Sequence, residues 1–456
     1  MTDTFRILHV STRLILGGSQ ENTVLSCEGQ AGLGHDVHLA YGPIHGPEGS
    51  MLERVERFRT SDGRGITTHE VPDMVREVAP LRDMRCRAQL RELIRRIQPD
   101  IVHTHSSKAG ILGRLAAWDV LQRDKRRIGV VHTVHGPPFM PIEGGLLSRA
   151  KIRLVNRIYT LAERHAAKSC HVIVSVADAM TEQFLARGIG SAELFTTVRS
   201  GMEIEPFLEA STPANRERVR ASLGLGEDDF VIGTIARLAQ HKGHDDLLDA
   251  LGEDLKSHPN WKLLWVGDGW WRERLVTRAR SMGLIVRECD REGAGEPAPA
   301  EAAEARIILT GLVPPTAVPD QIALMDVLAH PSYREGLPRT VPQALLCGVP
   351  PVAYDVDGTR EACIDGETGL LVPLGDRAGL RTAVERLAND TPGGRELRRA
   401  LGRRGREHCR VAYAAKTMVA ELEKVYATAL DRAGGSTGSS YRAPAGASHG
   451  RPPDAV

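Results

Sequence analysis

Ser332-Tyr333-Arg334-Glu335-Gly336-Leu337-Pro338-Arg339-Thr340-Val341-Pro342-Gln343-Ala344-Leu345-Leu346-Cys347-Gly348-Val349-Pro350 stands between two apolar runs, 325–329 and 351–354. The block is the length of a short helix and stops at Gly348 and Pro350, the residues that end helices. Pro338 and Pro342 fall near its first turn, where a missing N–H costs little because those donors have no partner inside the helix. The stretch therefore predicts a strand, a loop carrying Glu335-Gly336, and a short helix carrying Gln343. In an open α/β sheet, ligands sit at such loops.

The same rhythm runs outward in both directions. Upstream, strands are predicted at 5–10, 37–40, 99–103, 128–133 and 172–175, then at 230–235, 263–266 and 307–309. Helices are predicted at 108–118, 147–168, 376–388 and 395–429. The pattern loosens over 205–228, at Pro206, Pro213 and an acidic run, and then restarts. Residues 287–304 are rich in Ala, Glu, Gly and Pro and read as a surface insertion. From Gly434 the chain is Gly, Ser, Ala and Pro with few large apolar residues, a composition that favours disorder. Alternating strands and helices in both halves imply an α/β protein with two doubly wound, Rossmann-like sheets facing a cleft. The expected division is 1–204, a linker over 205–228, 229–400, C-terminal helices over 401–432 packing back on the first domain, and a tail over 433–456.

At 456 residues the chain is long enough for two cores. Its net charge of +1 argues against a dedicated nucleic-acid binder. Residues 1–200 hold 27 Lys and Arg against 21 Asp and Glu, and the remainder 32 against 37. That asymmetry fits either an anionic partner for the first domain or chance. The seven cysteines are scattered and never paired as C-x-x-C, which speaks against a disulfide framework or zinc site. With neither a leader-like N-terminus nor a long apolar run, the expectation is a cytoplasmic protein. The predicted helix over 147–168 carries Arg149, Lys151, Arg153, Arg157, Arg164 and Lys168 among apolar residues. Such a helix either lies on an anionic membrane surface or presents an ordinary solvated face. Gly17 and Gly18, in the first crossover, let backbone N–H groups approach a phosphate.

In order along the chain come Gly17-Gly18, His103-Thr104-His105-Ser106-Ser107, His132-Thr133-Val134-His135-Gly136, Gly233-Thr234-Ile235-Ala236-Arg237-Leu238 and Lys242-Gly243. Val266-Gly267-Asp268-Gly269, Thr310-Gly311-Leu312-Val313, His330-Pro331-Ser332, Glu335-Gly336-Leu337-Pro338 and the segment 365–373 follow. This ordered set resembles glycosyltransferase family 4, the retaining, nucleotide-sugar-dependent enzymes of the GT-B fold. The resemblance implies that a sugar moves from a nucleotide diphosphosugar, UDP- or GDP-linked, to a glycan or lipid-linked acceptor in polysaccharide or glycolipid synthesis. The basic helix over 147–168 points to a lipid-linked acceptor and a peripheral place on the inner membrane face, and the near-zero net charge to no nucleic-acid partner. The diphosphate leaving group needs cations placed in advance, and the resemblance gives Arg237 and Lys242 that role. It places Glu335 and His135 at the reacting sugar, with Gly17, Gly18, Val313, Gly336, Leu337 and Pro338 around the donor.

The family pattern E-x7-E puts a second acid on the ribose, where this chain has Gln343. A Gln can accept from one hydroxyl and donate to the other, so donor binding is expected to persist with some loss of strength. Asp355-Val356-Asp357 has the D-x-D form of a metal motif but falls in a different part of the pattern, so no cofactor and no obligatory metal are expected. A nucleotide-sugar 2-epimerase of the same shape would turn over donor without acceptor. An inactive nucleotide-sugar-binding relative would be marked only by the missing second acid.

Overall fold

The computed structural model describes residues 4–44, 49–137, 139, 146–289 and 304–434. The first sheet contains β1 (Arg6–Ser11), β2 (Asp36–Tyr41), β3 (Thr67–Glu70), β4 (Ile101–His105), β5 (Gly129–Val134), β6 (Val172–Ser175) and β7 (Phe195–Thr197). Its order is β3-β2-β1-β4-β5-β6-β7, with every pairing parallel. The second contains β8 (Phe230–Ile235), β9 (Trp261–Val266), β10 (Val286–Glu288), β11 (Ile307–Gly311), β12 (Val327–His330), β13 (Pro351–Tyr354) and β14 (Leu370–Val372). It runs β10-β11-β9-β8-β12-β13-β14, again parallel throughout.

Parallel sheets are stable only when helices cover both faces, so their strands read as nearly unbroken apolar runs. β5, β9, β12 and β13 are buried at every residue, and those runs predict them from sequence. The outermost strands of each sheet, β3, β7, β10 and β14, are three or four residues long. No apolar run announces β3, β7 or β10, and their ladder partners, rather than their own side chains, make them strands.

Four expectations are corrected. The 205–228 stretch folds into two helices, Glu205–Ala210 and Pro213–Ser222, each with proline in its first turn. These prolines start helices where they suggested a break. The second helix is fastened to the second domain by Arg216, bonded to Asp326 at 2.8 Å and to the Ala323 carbonyl at 2.8 Å. At the front of the supposed insertion, Val286 and Glu288 are buried in β10, with Glu288 bonded by Arg272 and Arg280; residues 290–303 lie outside the described part. The span 395–429 is two helices, Pro392–Ala412 and Ala415–Gly434, interrupted at Tyr413-Ala414. Of the supposed tail, 433 and 434 close the last helix and 435–456 lie outside the described residues.

The interruption is a crossing. Met202 and Ala414 form a parallel bridge, with the Met202 N–H on the Tyr413 carbonyl and the Ala415 N–H on the Met202 carbonyl. Beyond it, Met418, Val419, Leu422, Val425 and Tyr426 pack into one core with Ile7, Leu25, Ile101 and Val131 of the first domain.

Candidate active site

The strand order reverses direction at one pair of neighbouring strands in each sheet, β1/β4 in the first and β8/β12 in the second, where β11 returns between β9 and the edge strand β10. Crevices at such switch points are where open parallel sheets bind ligands.

At β8/β12 the crevice holds an ionic cluster. The turn Gln240–Lys242 follows β8 and ends at Gly243, with φ 72°. A Cβ on Gly243 would lie 2.0 Å from the Pro331 carbonyl oxygen, so only glycine lets the β8 loop lie against the β12 loop. That approach delivers Lys242 to Glu335, Nζ to Oε1 2.5 Å. His330, the last residue of β12, places Nε2 3.2 Å from the same oxygen. Burial acts to raise the Glu335 carboxyl, but the His330 contact and the Lys242 charge outweigh it and hold the group well below the usual carboxylate range. The Glu335 N–H is bonded to Asp357 Oδ2 at 2.8 Å.

The helix that follows, Thr340–Leu346, ends in a Schellman turn: the Val349 N–H bonds the Ala344 carbonyl and the Gly348 N–H bonds that of Leu345. Gly348 has φ 77°. Gln343 is half-buried on this helix. Leu337 is buried in the core that Val313, half-buried after β11, packs against, and Pro338 is buried beside it. Arg237 is exposed, its guanidinium 5.6 Å from the Trp270 ring centroid. Neither acid of Asp355-Val356-Asp357 stands alone. Asp355 pairs with Arg360 at 2.9 Å, and Asp357 accepts from Gln183 Nε2 at 2.7 Å as well as from the Glu335 N–H.

The first domain closes over this cluster. Gly336 meets the loop after β5 so tightly that a Cβ on it would lie 2.4 Å from the His135 carbonyl oxygen. Arg339 crosses to the first domain, donating to the Gly201 carbonyl at 3.0 Å and pairing with Glu21 at 2.8 Å. Gly17 precedes the helix Gly18–Leu33, and Gly18 is packed against the Arg339 side chain. The glycine pair read as a phosphate approach therefore faces an arginine across the cleft. His135 borders a cavity of about 380 Å³, also lined by Ser19, Ser106, Thr133, Tyr159 and Phe184. Burial, with the Arg339 charge adding to it, lowers the His135 imidazole to about 3, so the ring is neutral at physiological pH. The arrangement combines cations around a persistent carboxylate with a hydroxyl-lined pocket one domain away, which suits a reaction in which an anionic leaving group departs from a polyhydroxyl substrate.

Residues 16–200 match the family model described as Glycosyltransferase Family 4, and residues 229–390 that described as Glycosyl transferases group 1. The 2-deoxystreptamine N-acetyl-D-glucosaminyltransferase of Streptomyces fradiae is 30% identical over 350 residues, covering 74% of this chain and 73% of its own. The chain belongs to glycosyltransferase family 4. Its relatives include the Escherichia coli UDP-Gal:alpha-D-GlcNAc-diphosphoundecaprenol alpha-1,3-galactosyltransferase, 26% identical over 326 residues and covered to 74%, with 70% of this chain aligned. In architecture it follows Anabaena Alr3699/HepE, solved in complex with UDP-glucose, with a TM-score of 0.68 at 18% identity over 93% of this chain and all of that one. The fold is thus GT-B, as the motifs implied, and the relatives are named as transferases rather than epimerases.

Within this glycosyltransferase, the sequence reading gave no site role to His330, Arg339 or Asp357. His330 carried a signal, a histidine closing a buried strand immediately before the loop of Glu335. Arg339 and Asp357 carried none, because their partners lie 318 and 22 residues away and meet them only through the fold. Glu361 is a further case: its Oε1 accepts from the Ala179 N–H, in the first turn of a first-domain helix, at 3.2 Å.

Proposed function

We propose that this enzyme is a retaining glycosyltransferase that takes a UDP- or GDP-linked sugar and passes it to a glycan or lipid-linked acceptor in polysaccharide or glycolipid synthesis. The observation that carries the reading is the Glu335 carboxylate, kept ionised between Lys242 and His330 at the β8/β12 crevice. A fixed negative charge there stabilises the positive charge that develops on a departing sugar. Lys242 and Arg237, both in the loop after β8, neutralise the diphosphate. Glu335, Gly336, Leu337 and Pro338 surround the sugar, Gly17, Gly18 and Val313 border the donor, and His135 meets a hydroxyl on the first-domain side. The departing phosphate takes the acceptor proton on the same face of the sugar, so Glu335 acts as an electrostatic and positioning group. Support for the donor comes from the Anabaena structures with UDP and UDP-glucose, and support for a lipid diphosphate acceptor from the E. coli relative. No obligatory metal is required in this reading, because Asp355 and Asp357 are committed to Arg360, Gln183 and the Glu335 backbone.

Incubation with UDP- and GDP-sugars, with and without polyprenyl-diphosphate-linked acceptors and with EDTA, tests all of this. Expected is transfer that needs acceptor, survives chelation and keeps the anomeric configuration by NMR. Donor turnover without acceptor would point to an isomerase, and an inverted product would remove the retaining mechanism. For Gln343 the expected role is the ribose. Gln343→Ala should raise donor KM roughly fivefold, the worth of one neutral hydrogen bond, and Gln343→Glu should lower it. An unchanged KM in the alanine variant would take Gln343 out of the site.

The membrane part of the proposal rests on the helix Leu146–Ala167. It is anchored inward by Glu163, fully buried and paired with Arg114 at 2.6 Å. Outward it shows Leu154, Val155, Ile158 and Leu161, 43–59% exposed, beside Arg149, Lys151, Arg153 and Arg157. An exposed apolar ridge flanked by basic residues is what an anionic bilayer surface retains, at about 1 kcal/mol per basic residue near the surface. The same domain exposes Val78, Leu81 and Met84. Among the described residues no helix is long and apolar enough to cross a membrane. The enzyme should float with phosphatidylglycerol vesicles and not with phosphatidylcholine, and Leu154→Glu with Ile158→Glu should release it. Equal flotation of that double variant would refute the docking face.

A further inference from the structure

A row of buried polar side chains runs beneath the cleft, in a core where apolar groups are the rule. Gln30, in the helix Gly18–Leu33, donates from Nε2 to the Tyr426 hydroxyl at 2.8 Å. Its Oε1 lies 2.7 Å from His9 Nε2 on β1. His9 Nδ1 lies 2.9 Å from His105 Nε2 on β4, and His105 Nδ1 lies 3.1 Å from His135 Nε2. The second ring nitrogen of His135, Nδ1, is buried and has no hydrogen-bond partner among the described residues. On a branch, the Tyr426 hydroxyl meets His103 Nδ1 at 2.8 Å, and His103 Nε2 meets Thr133 Oγ1 at 2.7 Å.

His9, His103 and His105 bring ring nitrogens within 4.8 Å of one another, a spacing that could hold a metal ion. Every ring nitrogen of the three is already hydrogen-bonded, however, so the cluster is closed upon itself. Burial lowers His9 to about 4 and pulls His103 and His105 well down. Each ring is neutral at physiological pH and carries one proton, on one nitrogen or the other.

That single proton makes the row directional. An amide oxygen can only accept, so His9 carries its proton on Nε2 and accepts at Nδ1. His105 must then donate from Nε2 and accept at Nδ1, and His135 must donate from Nε2. The His135 Nδ1 is left bare. The reverse polarity requires the Gln30 amide turned over, with Tyr426 donating to its oxygen. It would leave a buried N–H on His135 with no acceptor, the rarer kind of orphan.

We propose that Gln30, His9 and His105 are positioning residues for His135, fixing its proton on Nε2 so that Nδ1 stands beside the cavity as an acceptor for a substrate hydroxyl. The row ends at an amide, which neither gains nor loses a proton near neutral pH. It therefore orients His135 and provides no exit for protons. Tyr426, on the returning C-terminal helix, holds the amide the right way round. The consequence for catalysis rests on the proposed glycosyl transfer, while the tautomer itself does not.

The test is ring 1H–15N correlation NMR on full-length enzyme labelled at histidine nitrogen, with His135 assigned by loss of its signals in His135→Gln. Wild type should show His135 protonated at Nε2 and bare at Nδ1. Gln30→Leu removes the anchor, and Tyr426→Phe removes one oxygen and frees the amide to turn. Both should give mixed His135 tautomers, with kcat about tenfold lower, the scale of one neutral hydrogen bond, and an unchanged donor KM. A proton on His135 Nδ1 in wild type would overturn the proposal. So would a single unchanged tautomer in Tyr426→Phe, which conserves the packing should Gln30→Leu fail to fold. If no transfer activity exists at all, the tautomer shifts still decide the relay.

Discussion

Glu335→Gln is expected to lower kcat by about a hundredfold or more, the scale for removing one preorganised electrostatic group, while the folded structure persists. The substitution is nearly isosteric, so Gly336 and Asp357 keep their places. What disappears is the charge that Lys242 and His330 hold in the crevice. Its absence should appear in kcat more than in donor KM, because the carboxylate matters most when the sugar carries positive charge. The pH dependence follows from the sign of the shift. The folded-state carboxyl is depressed below its unfolded value. Its contribution to stability is therefore complete above the unfolded glutamate value of about 4.3 and is lost as pH falls towards the folded one. The stability gap between wild type and Glu335→Gln should thus be widest near neutrality and narrow below about pH 4.3. Any acid limb of the rate profile above that pH should survive in the variant at its reduced rate. A gap that widens on acidification would mean the cluster does not hold Glu335 ionised.

Gly336→Ala is expected to cost as much by a different route. One methyl group there meets the His135 carbonyl oxygen at 2.4 Å and the Gly136 Cα at 2.8 Å, both backbone atoms with no side chain to turn aside. The loops must separate, and a displacement of about 1 Å at reacting groups can cost about a hundredfold in rate. The displacement lies between the domains, so small-angle scattering should report a wider particle. Wild-type kcat in this variant would show that the seam between Gly336 and His135 is absent when the reaction occurs.

The central strands were legible because burial on both faces imposes an unbroken apolar run, as in 230–235 and 351–354. β3, β7 and β10 were not, because such edge strands take their structure from a neighbour's ladder. Pro206 and Pro213 misled for a related reason: proline ends a helix from within and begins one from its first turn, and only the fold shows which. At the site, Glu335, Lys242 and His135 stood in motifs whose spacing survives in one dimension. Arg339 opposite Gly18, and Tyr426 between Gln30 and His103, are partners across hundreds of residues. No local pattern encodes such pairs. Gln343 lies where the motif places it, half-buried on the helix behind the Glu335 loop, so its meaning now turns on a measured KM.

The Met202–Ala414 bridge means that the first domain is not a contiguous piece of chain. A fragment ending near residue 204 would lack Tyr426, Met418 and Val425, leaving Ile7, Ile101 and Val131 facing water and the Gln30 amide without its tether. The chain ends to be joined are already hydrogen-bonded neighbours, however. Splicing 204 directly to 414 through a few glycines would make the first domain one contiguous chain and restore the Tyr426 tether. In reverse, a circular permutant opened in that region would make each domain a contiguous piece of chain, the second preceding the first.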